Sequence, residues 1–184
     1  MSLGALAAGI GGLSALAASL LLPFHAGSAR LAGVELDAWV AWLFLAAGLL
    51  LAGASMAFAA RFPLHGSGGL RSWAVLGAAG FAVSGYGLVG DLIESPLVMG
   101  EIAAVVALGL WWGAVGLHGR PQAPKFAVFS LVCAAGGAVS LLIQLLWTTP
   151  PAGAIPVRFA YVLWAPWGLA LAAVLSRPGN ATRT

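Results

Sequence analysis

Charged side chains are scarce in this sequence. Only 7% of its 184 residues are Asp, Glu, Lys or Arg, whereas 61% are hydrophobic. A soluble globular protein carries roughly 25% charged residues, so this composition cannot provide a water-soluble surface. The mean hydropathy of +1.01 instead predicts a protein that resides in a lipid bilayer.

Cysteine is nearly absent, and no segment is rich in basic residues. Cys133 is the sole cysteine, which excludes an internal disulfide and the paired-cysteine zinc motifs. The basic residues are scattered and form no cluster that could follow a phosphate backbone, so the sequence predicts no nucleic-acid partner. We find no motif for a cofactor, a metal ion or a catalytic group, and we expect none of these and no enzymatic activity.

Long apolar runs make up most of the chain. A membrane-spanning helix needs about 20 mainly apolar residues, and the sequence contains six such runs. They predict an all-α, polytopic integral membrane protein with a single transmembrane domain over residues 1–184 and six transmembrane helices arranged as three hairpins. The predicted helices lie near 3–24, 37–60, 72–94, 97–118, 125–147 and 156–176. Pro166 predicts a kink in the last of them.

The charged residues divide unequally between the two sides of this predicted arrangement. The side that holds both termini receives only basic residues: Arg61, Arg71, Arg120, Lys125, Arg177 and Arg183. The opposite side receives two basic and all the acidic residues: Arg30, Arg158, Glu35, Asp37, Asp91, Glu94 and Glu101. Because cytoplasmic loops of membrane proteins are enriched in Lys and Arg, we expect both termini in the cytoplasm of a multi-pass cell-membrane protein, of the bacterial inner-membrane type.

The second predicted hairpin carries a resemblance to a known family. It reads "RSWAVLGAAGFAVSGYGLVGDLIESP" followed by "LGLWWGAVGLHGR", with small residues along the first helix, a proline at the turn and glycines before a basic end. In this layout the chain resembles small six-helix bacterial membrane proteins of the HdeD-like, acid-resistance type, or a related uncharacterised six-helix family. The resemblance implies a hairpin-repeat fold and a stress-related role, and it carries over no catalytic motif. The third hairpin departs from the layout through its longer turn, "TTPPAGAIPVR", and its "WAPWG" segment.

Two predicted helices carry stripes of small residues at helical spacing. The stripes consist of Gly77, Gly80, Ser84 and Gly87 in the third helix, and of Ser130, Cys133, Gly137 and Ser140 in the fifth. Small residues let helix backbones approach closely in a bilayer, so we expect these positions to pack against other helices. If the two stripes meet or share a partner helix, we expect Asp91 and Gln144 to approach each other.

The stripes lead towards polar residues at the predicted outer side. The candidate polar site consists of Asp91, Glu101, Gln144, Arg158 and Tyr161. One interpretation is a cation, proton or substrate site open to the outside, because neighbouring carboxylates raise each other's pKa and exchange protons. The other is that the acids mark outer helix ends, with Arg158 as their partner.

The sequence does not decide among three classes of function. The first is a small non-enzymatic membrane protein that acts by assembly, as an accessory or stress-related component, with the bilayer and a homo-oligomer or larger membrane complex as its partners. The second is a transporter or substrate-binding membrane subunit for a small molecule or ion, with an outward-facing acidic site. The third is an intramembrane enzyme, for which we find no nucleophile, base or metal set in the sequence.

Overall fold

Helices form almost all of the described chain. The computed structural model describes residues 2–21, 30–31, 34–62, 69–92, 100–119, 121, 123–146 and 159–177. The helices are α1 (Leu3–Leu21), α2 (Leu36–Arg61), α3 (Gly69–Leu92), α4 (Glu101–His118), α5 (Pro124–Leu146) and α6 (Trp164–Ser176). A 3₁₀ turn, Phe159–Leu163, leads into α6, and a two-residue antiparallel ladder pairs β1 (Arg30–Leu31) with β2 (Val34–Glu35) before α2.

The predicted all-helical class is confirmed. The prediction of a membrane protein is confirmed in part. Three of the helices are long and apolar enough to cross a membrane, over Leu3–Leu21, Ala38–Arg61 and Pro124–Ile143. Two shorter apolar helices cover Ile102–His118 and Ala160–Ser176. These segments are rich in Ala and Leu, which favour helices and leave no polar side chain to compete for backbone hydrogen bonds.

The helices pack as a bundle in which chain neighbours are also spatial neighbours. Each of α1 to α4 packs against the next helix, and α6 returns to lie beside α1, whereas α5 and α6 touch only sparsely. One end of the bundle therefore gathers the start of α1, the ends of α2, α4 and α6, and the starts of α3 and α5. We call it the basic end, because Arg61, Arg71, Lys125 and Arg177 lie there, and the opposite end the acidic end.

The sixth helix differs from its prediction. The sequence predicts one helix over 156–176 with a kink at Pro166, whereas the α-helix begins at Trp164, after the 3₁₀ turn. Pro166 thus lies in the first turn of α6, where proline is tolerated because the backbone N–H groups there lack intrahelical partners. The proline fits the start of this helix and does not interrupt its middle.

Glycines allow the closest helix contacts in the bundle. A Cβ on Gly85 of α3 would lie 2.8 Å from the Phe44 oxygen and 3.3 Å from the Gly48 Cα on α2. A Cβ on Gly168 of α6 would lie 3.0 Å from the Gly12 Cα on α1. In a bilayer, where apolar burial does not drive helices together, such close backbone approach supplies much of the packing energy.

Candidate functional site

Aromatic rings fill the interior of the bundle. Trp111 and Trp112 of α4 and Trp164 and Trp167 of α6 are all completely buried. Phe81 of α3 lies among three of them, with ring-centroid distances of 6.2 Å to Trp112, 5.1 Å to Trp164 and 5.5 Å to Trp167. Such pairs stabilise by about 0.5–1.5 kcal/mol each beyond their area burial. The rings therefore tie α3, α4 and α6 together at the bundle centre.

The aromatic layer continues towards both ends of the bundle. At the acidic end, the buried Tyr161 ring lies 5.3 Å from Phe44 and 5.0 Å from Trp164. Towards the basic end, Phe58 of α2 lies 5.6 Å from Phe126 of α5. Ring contacts thus connect α2 with both α5 and α6, helices far from it in the sequence.

Buried polar atoms accompany these rings. The Trp167 Nε1 of α6 donates a 3.0 Å hydrogen bond to the Ser130 Oγ of α5, inside the bundle. Within the described ranges, five further buried side-chain atoms have no hydrogen-bond partner: Ser55 Oγ, Ser84 Oγ, Trp111 Nε1, Trp112 Nε1 and Trp164 Nε1. The Trp167–Ser130 bond is therefore a specific polar link between two helices that otherwise touch sparsely.

The candidate polar site falls largely outside what the structure describes. The backbones of Asp91, Glu101 and Gln144 lie in α3, α4 and α5, all towards the acidic end, but their side chains lie outside the described residues, as does all of Arg158. Tyr161 is buried among aromatic rings. The grouping of these five residues, and the transport function that depends on it, stays a prediction.

The small-residue stripe on α3 faces α4. A Cβ on Gly77 would lie 2.5 Å from Cδ1 and 2.8 Å from Cβ of Trp111, and a Cβ on Gly80 would lie 2.9 Å from the Ala104 oxygen. Gly87 is buried as well. Gly77 therefore leaves room for the indole of Trp111, which a larger residue at this position would displace.

The stripe on α5 contacts both α4 and α6. A Cβ on Gly137 would lie 3.7 Å from Cζ3 of Trp112 on α4. Ser140 is buried and its Oγ donates a 3.0 Å hydrogen bond to the Gly136 oxygen one turn earlier. Ser84 of the first stripe is buried. One residue of each stripe, Gly77 and Gly137, thus lies beside a tryptophan of α4, whereas Ser130 of the second stripe contacts Trp167 of α6.

Two glycines of α4 face away from the bundle. Gly109 and Gly113 are four residues apart, and a Cβ on either would meet nothing within 4 Å. Val106 and Leu117, at helical spacing on the same side, are exposed. This surface, the α4 outer face, has the GxxxG spacing that lets two membrane helices approach closely.

The outer surface of the bundle is suited to lipid. Its exposed side chains include Leu6, Leu13 and Leu20 on α1 and Val128, Val132 and Val139 on α5. Trp42, near the start of α2, is 57% exposed, and tryptophan at such a position is typical of the membrane interface. From Trp42 to Arg61 the helix rises roughly 28 Å at about 1.5 Å per residue, which matches a hydrocarbon core about 30 Å thick.

Arg61 has a structural role that the sequence did not reveal. Its guanidinium, at the end of α2, donates hydrogen bonds to the carbonyl oxygens of Leu175 and Arg177 at the end of α6. Ser2 Oγ donates to the Leu175 oxygen over 3.4 Å and accepts from the Ala5 N–H over 3.2 Å. A cation at a helix C-terminus also interacts favourably with the helix dipole, so Arg61 fastens α2 to α6. The available signal was the position of Arg61, a basic residue directly after the second predicted helix.

No match to a known protein bears on these sites. No protein-family model, curated protein or solved structure matches the chain. Within the described ranges, no three His, Cys, Asp or Glu residues come together as a group able to hold a metal ion.

Proposed function

We propose that this chain is a small non-enzymatic integral membrane protein that acts by assembling with a second copy of itself in the bilayer. All six helices span the membrane in this proposal, and both termini lie in the cytoplasm. The segregation of basic residues to the end that holds both termini supports this orientation through the positive-inside rule. The resemblance to the hairpin-repeat HdeD-like proteins agrees with an accessory or stress-related role in a bacterial inner membrane.

The open glycines of α4 carry this proposal. Gly77 and Gly80 of α3 have close neighbours within the bundle, whereas Gly109 and Gly113 have none within 4 Å of their missing side chains. A glycine pair facing lipid weakens its own helix, since each costs about 0.5–1 kcal/mol relative to alanine. A second helix packed on the α4 outer face would offset that cost through close backbone contact.

Disulfide cross-linking within membranes tests this assembly. In a chain carrying Cys133→Ala, we place a single cysteine at Val106, which is exposed beside the open glycines. Because a two-fold symmetric contact brings the same residue of both copies together, oxidation should give a cross-linked dimer. Leu13→Cys, on the exposed face of α1, is the matched control and should remain monomeric.

Substitution of the glycines completes the experiment. Gly113→Leu in the Val106→Cys chain should abolish the cross-link, because the added side chain holds the two helices apart. Gly53→Leu is the control, since Gly53 of α2 also has no neighbour within 4 Å of its missing side chain. Equal cross-linking in both glycine variants, or a dimer from Leu13→Cys as strong as that from Val106→Cys, would exclude the α4 outer face as the contact.

A further inference from the structure

A groove opens between α5 and α6 at the basic end of the bundle. Its volume is about 460 Å³, within the roughly 300–1,000 Å³ typical of small-molecule sites. It lies where these two helices touch only sparsely. Its walls are mainly apolar and include Phe126 and Phe129 of α5 and Ala170, Ala173 and Val174 of α6.

Two cations line this otherwise apolar groove. Lys125 is the second residue of α5 and Arg177 follows α6, and both side chains are exposed. In the part of the chain that the structure describes, neither side chain has a hydrogen-bond or ion-pair partner, whereas the guanidinium of Arg61 is bound to carbonyls at the end of α6. All five acidic residues of the sequence belong to the opposite side by the predicted topology, so an anion from outside the chain would meet Lys125 and Arg177 without competition from a carboxylate side chain.

The start of α5 adds to the positive potential of the groove. The first backbone N–H groups of a helix lack intrahelical acceptors and carry a partial positive charge. The first turn of α5 contains no acidic residue that would neutralise it. A phosphate group near Lys125 would therefore meet a basic side chain and the positive end of a helix dipole together.

We propose that this groove binds an anionic phospholipid, with the headgroup phosphate between Lys125 and Arg177 and one acyl chain along the wall formed by Phe129 and Ala173. In the proposed orientation both cations lie at the cytoplasmic end of the bundle, and Phe129 of the groove is followed one turn later on α5 by the exposed Val132. Basic pockets between transmembrane helices on the cytoplasmic side bind anionic headgroups in this manner. A soluble phosphate would use the cations but gain nothing from the phenylalanine and alanine wall.

Lipid retention by the full-length protein tests the proposal. We would purify the chain in dodecyl maltoside and measure binding of phosphatidylglycerol and of phosphatidylcholine with the same acyl chains, by native mass spectrometry. The wild type should retain phosphatidylglycerol more strongly. A basic residue near an anionic surface strengthens binding about fivefold, so Lys125→Gln with Arg177→Gln should weaken phosphatidylglycerol binding roughly 25-fold.

Two further variants separate a specific groove from general charge attraction. Arg71→Gln removes one exposed basic residue at the same end but on α3, away from the groove, and should bind like the wild type. Ala173→Leu fills the groove without changing charge, and it should weaken phosphatidylglycerol binding although both cations remain. Melting temperatures in phosphatidylcholine verify that each variant is folded.

Three outcomes would overturn the proposal. The first is equal retention of the two lipids by the wild type. The second is equal loss of binding in Arg71→Gln and in the double variant, which would indicate diffuse attraction to the basic end. The third is competition by inorganic phosphate as effective as by phosphatidylglycerol, which would indicate a site for a soluble anion.

Discussion

Replacement of Gly77 by alanine tests the central packing of the bundle. The new Cβ would lie 2.5 Å and 2.8 Å from two carbons of Trp111, where about 3.5–4.0 Å is the favourable separation. Either α3 and α4 must separate by on the order of 1 Å, or the indole must leave its rotamer. Trp111 is completely buried, so it has no free space to enter. Overpacking of this kind costs about 1–3 kcal/mol, and we expect the upper half of that range.

The matched control is Gly53→Ala on α2. Alanine is the better helix former by about 0.8–1.0 kcal/mol, and this gain is common to both variants. At Gly53 the added methyl group meets nothing within 4 Å, so the difference between the two variants reports the clash with Trp111 alone. We would measure the free energy of unfolding by titrating the purified protein from mild detergent into sodium dodecyl sulfate. A difference below about 0.5 kcal/mol would refute the close α3–α4 contact, since overpacking costs more than that.

Two further substitutions test single contacts with the same unfolding assay. Arg61→Met removes both hydrogen-bond donors to the end of α6 and should lower the free energy of unfolding by about 1.5 kcal/mol. The control, Arg71→Met, removes an exposed cation from α3 and should leave the free energy of unfolding unchanged. Equal losses of stability in the two variants would contradict the role of Arg61. Ser130→Ala removes the acceptor of the Trp167 indole and should cost about 0.6–1.7 kcal/mol. Ser55→Ala removes a buried hydroxyl that has no partner and should be neutral or stabilising, so a larger loss there than at Ser130 would refute the assignment of the Trp167 hydrogen bond.

The apolar runs predicted the helices well because length and hydropathy are local properties. The predicted start of the second helix near residue 37 compares with Leu36, and the predicted end of the fourth at 118 is His118. The start of the sixth helix was wrong by several residues. An apolar segment such as Phe159–Leu163 has the same composition whether it forms a 3₁₀ turn or an α-helix, so hydropathy alone cannot distinguish the two.

The partner of each glycine could not be predicted from its spacing. Gly77 and Gly80 are separated by three residues and Gly109 and Gly113 by four, and both spacings lie on one side of a helix. One pair contacts α4 inside the bundle, while the other is left open on the α4 outer face. Glycine is so frequent here that most helices show some stripe, and only the packing of neighbouring helices decides which stripes are already occupied.

The sequence also does not distinguish the roles of the individual basic residues, and these roles bear on function. From the sequence, Arg61, Lys125 and Arg177 are equivalent, since each marks the predicted cytoplasmic side. In the bundle, Arg61 is held by the carbonyls that end α6, so its charge offsets the negative end of that helix. This neutralisation leaves the cationic side chain of Arg177 free to act with Lys125 at the groove. Loss of Arg61 should therefore impair the fold, whereas loss of Lys125 and Arg177 should impair lipid binding while the fold persists. The three basic residues that mark one side of the sequence therefore have two roles. Arg61 stabilises the fold, whereas Lys125 and Arg177 can recognise an anion.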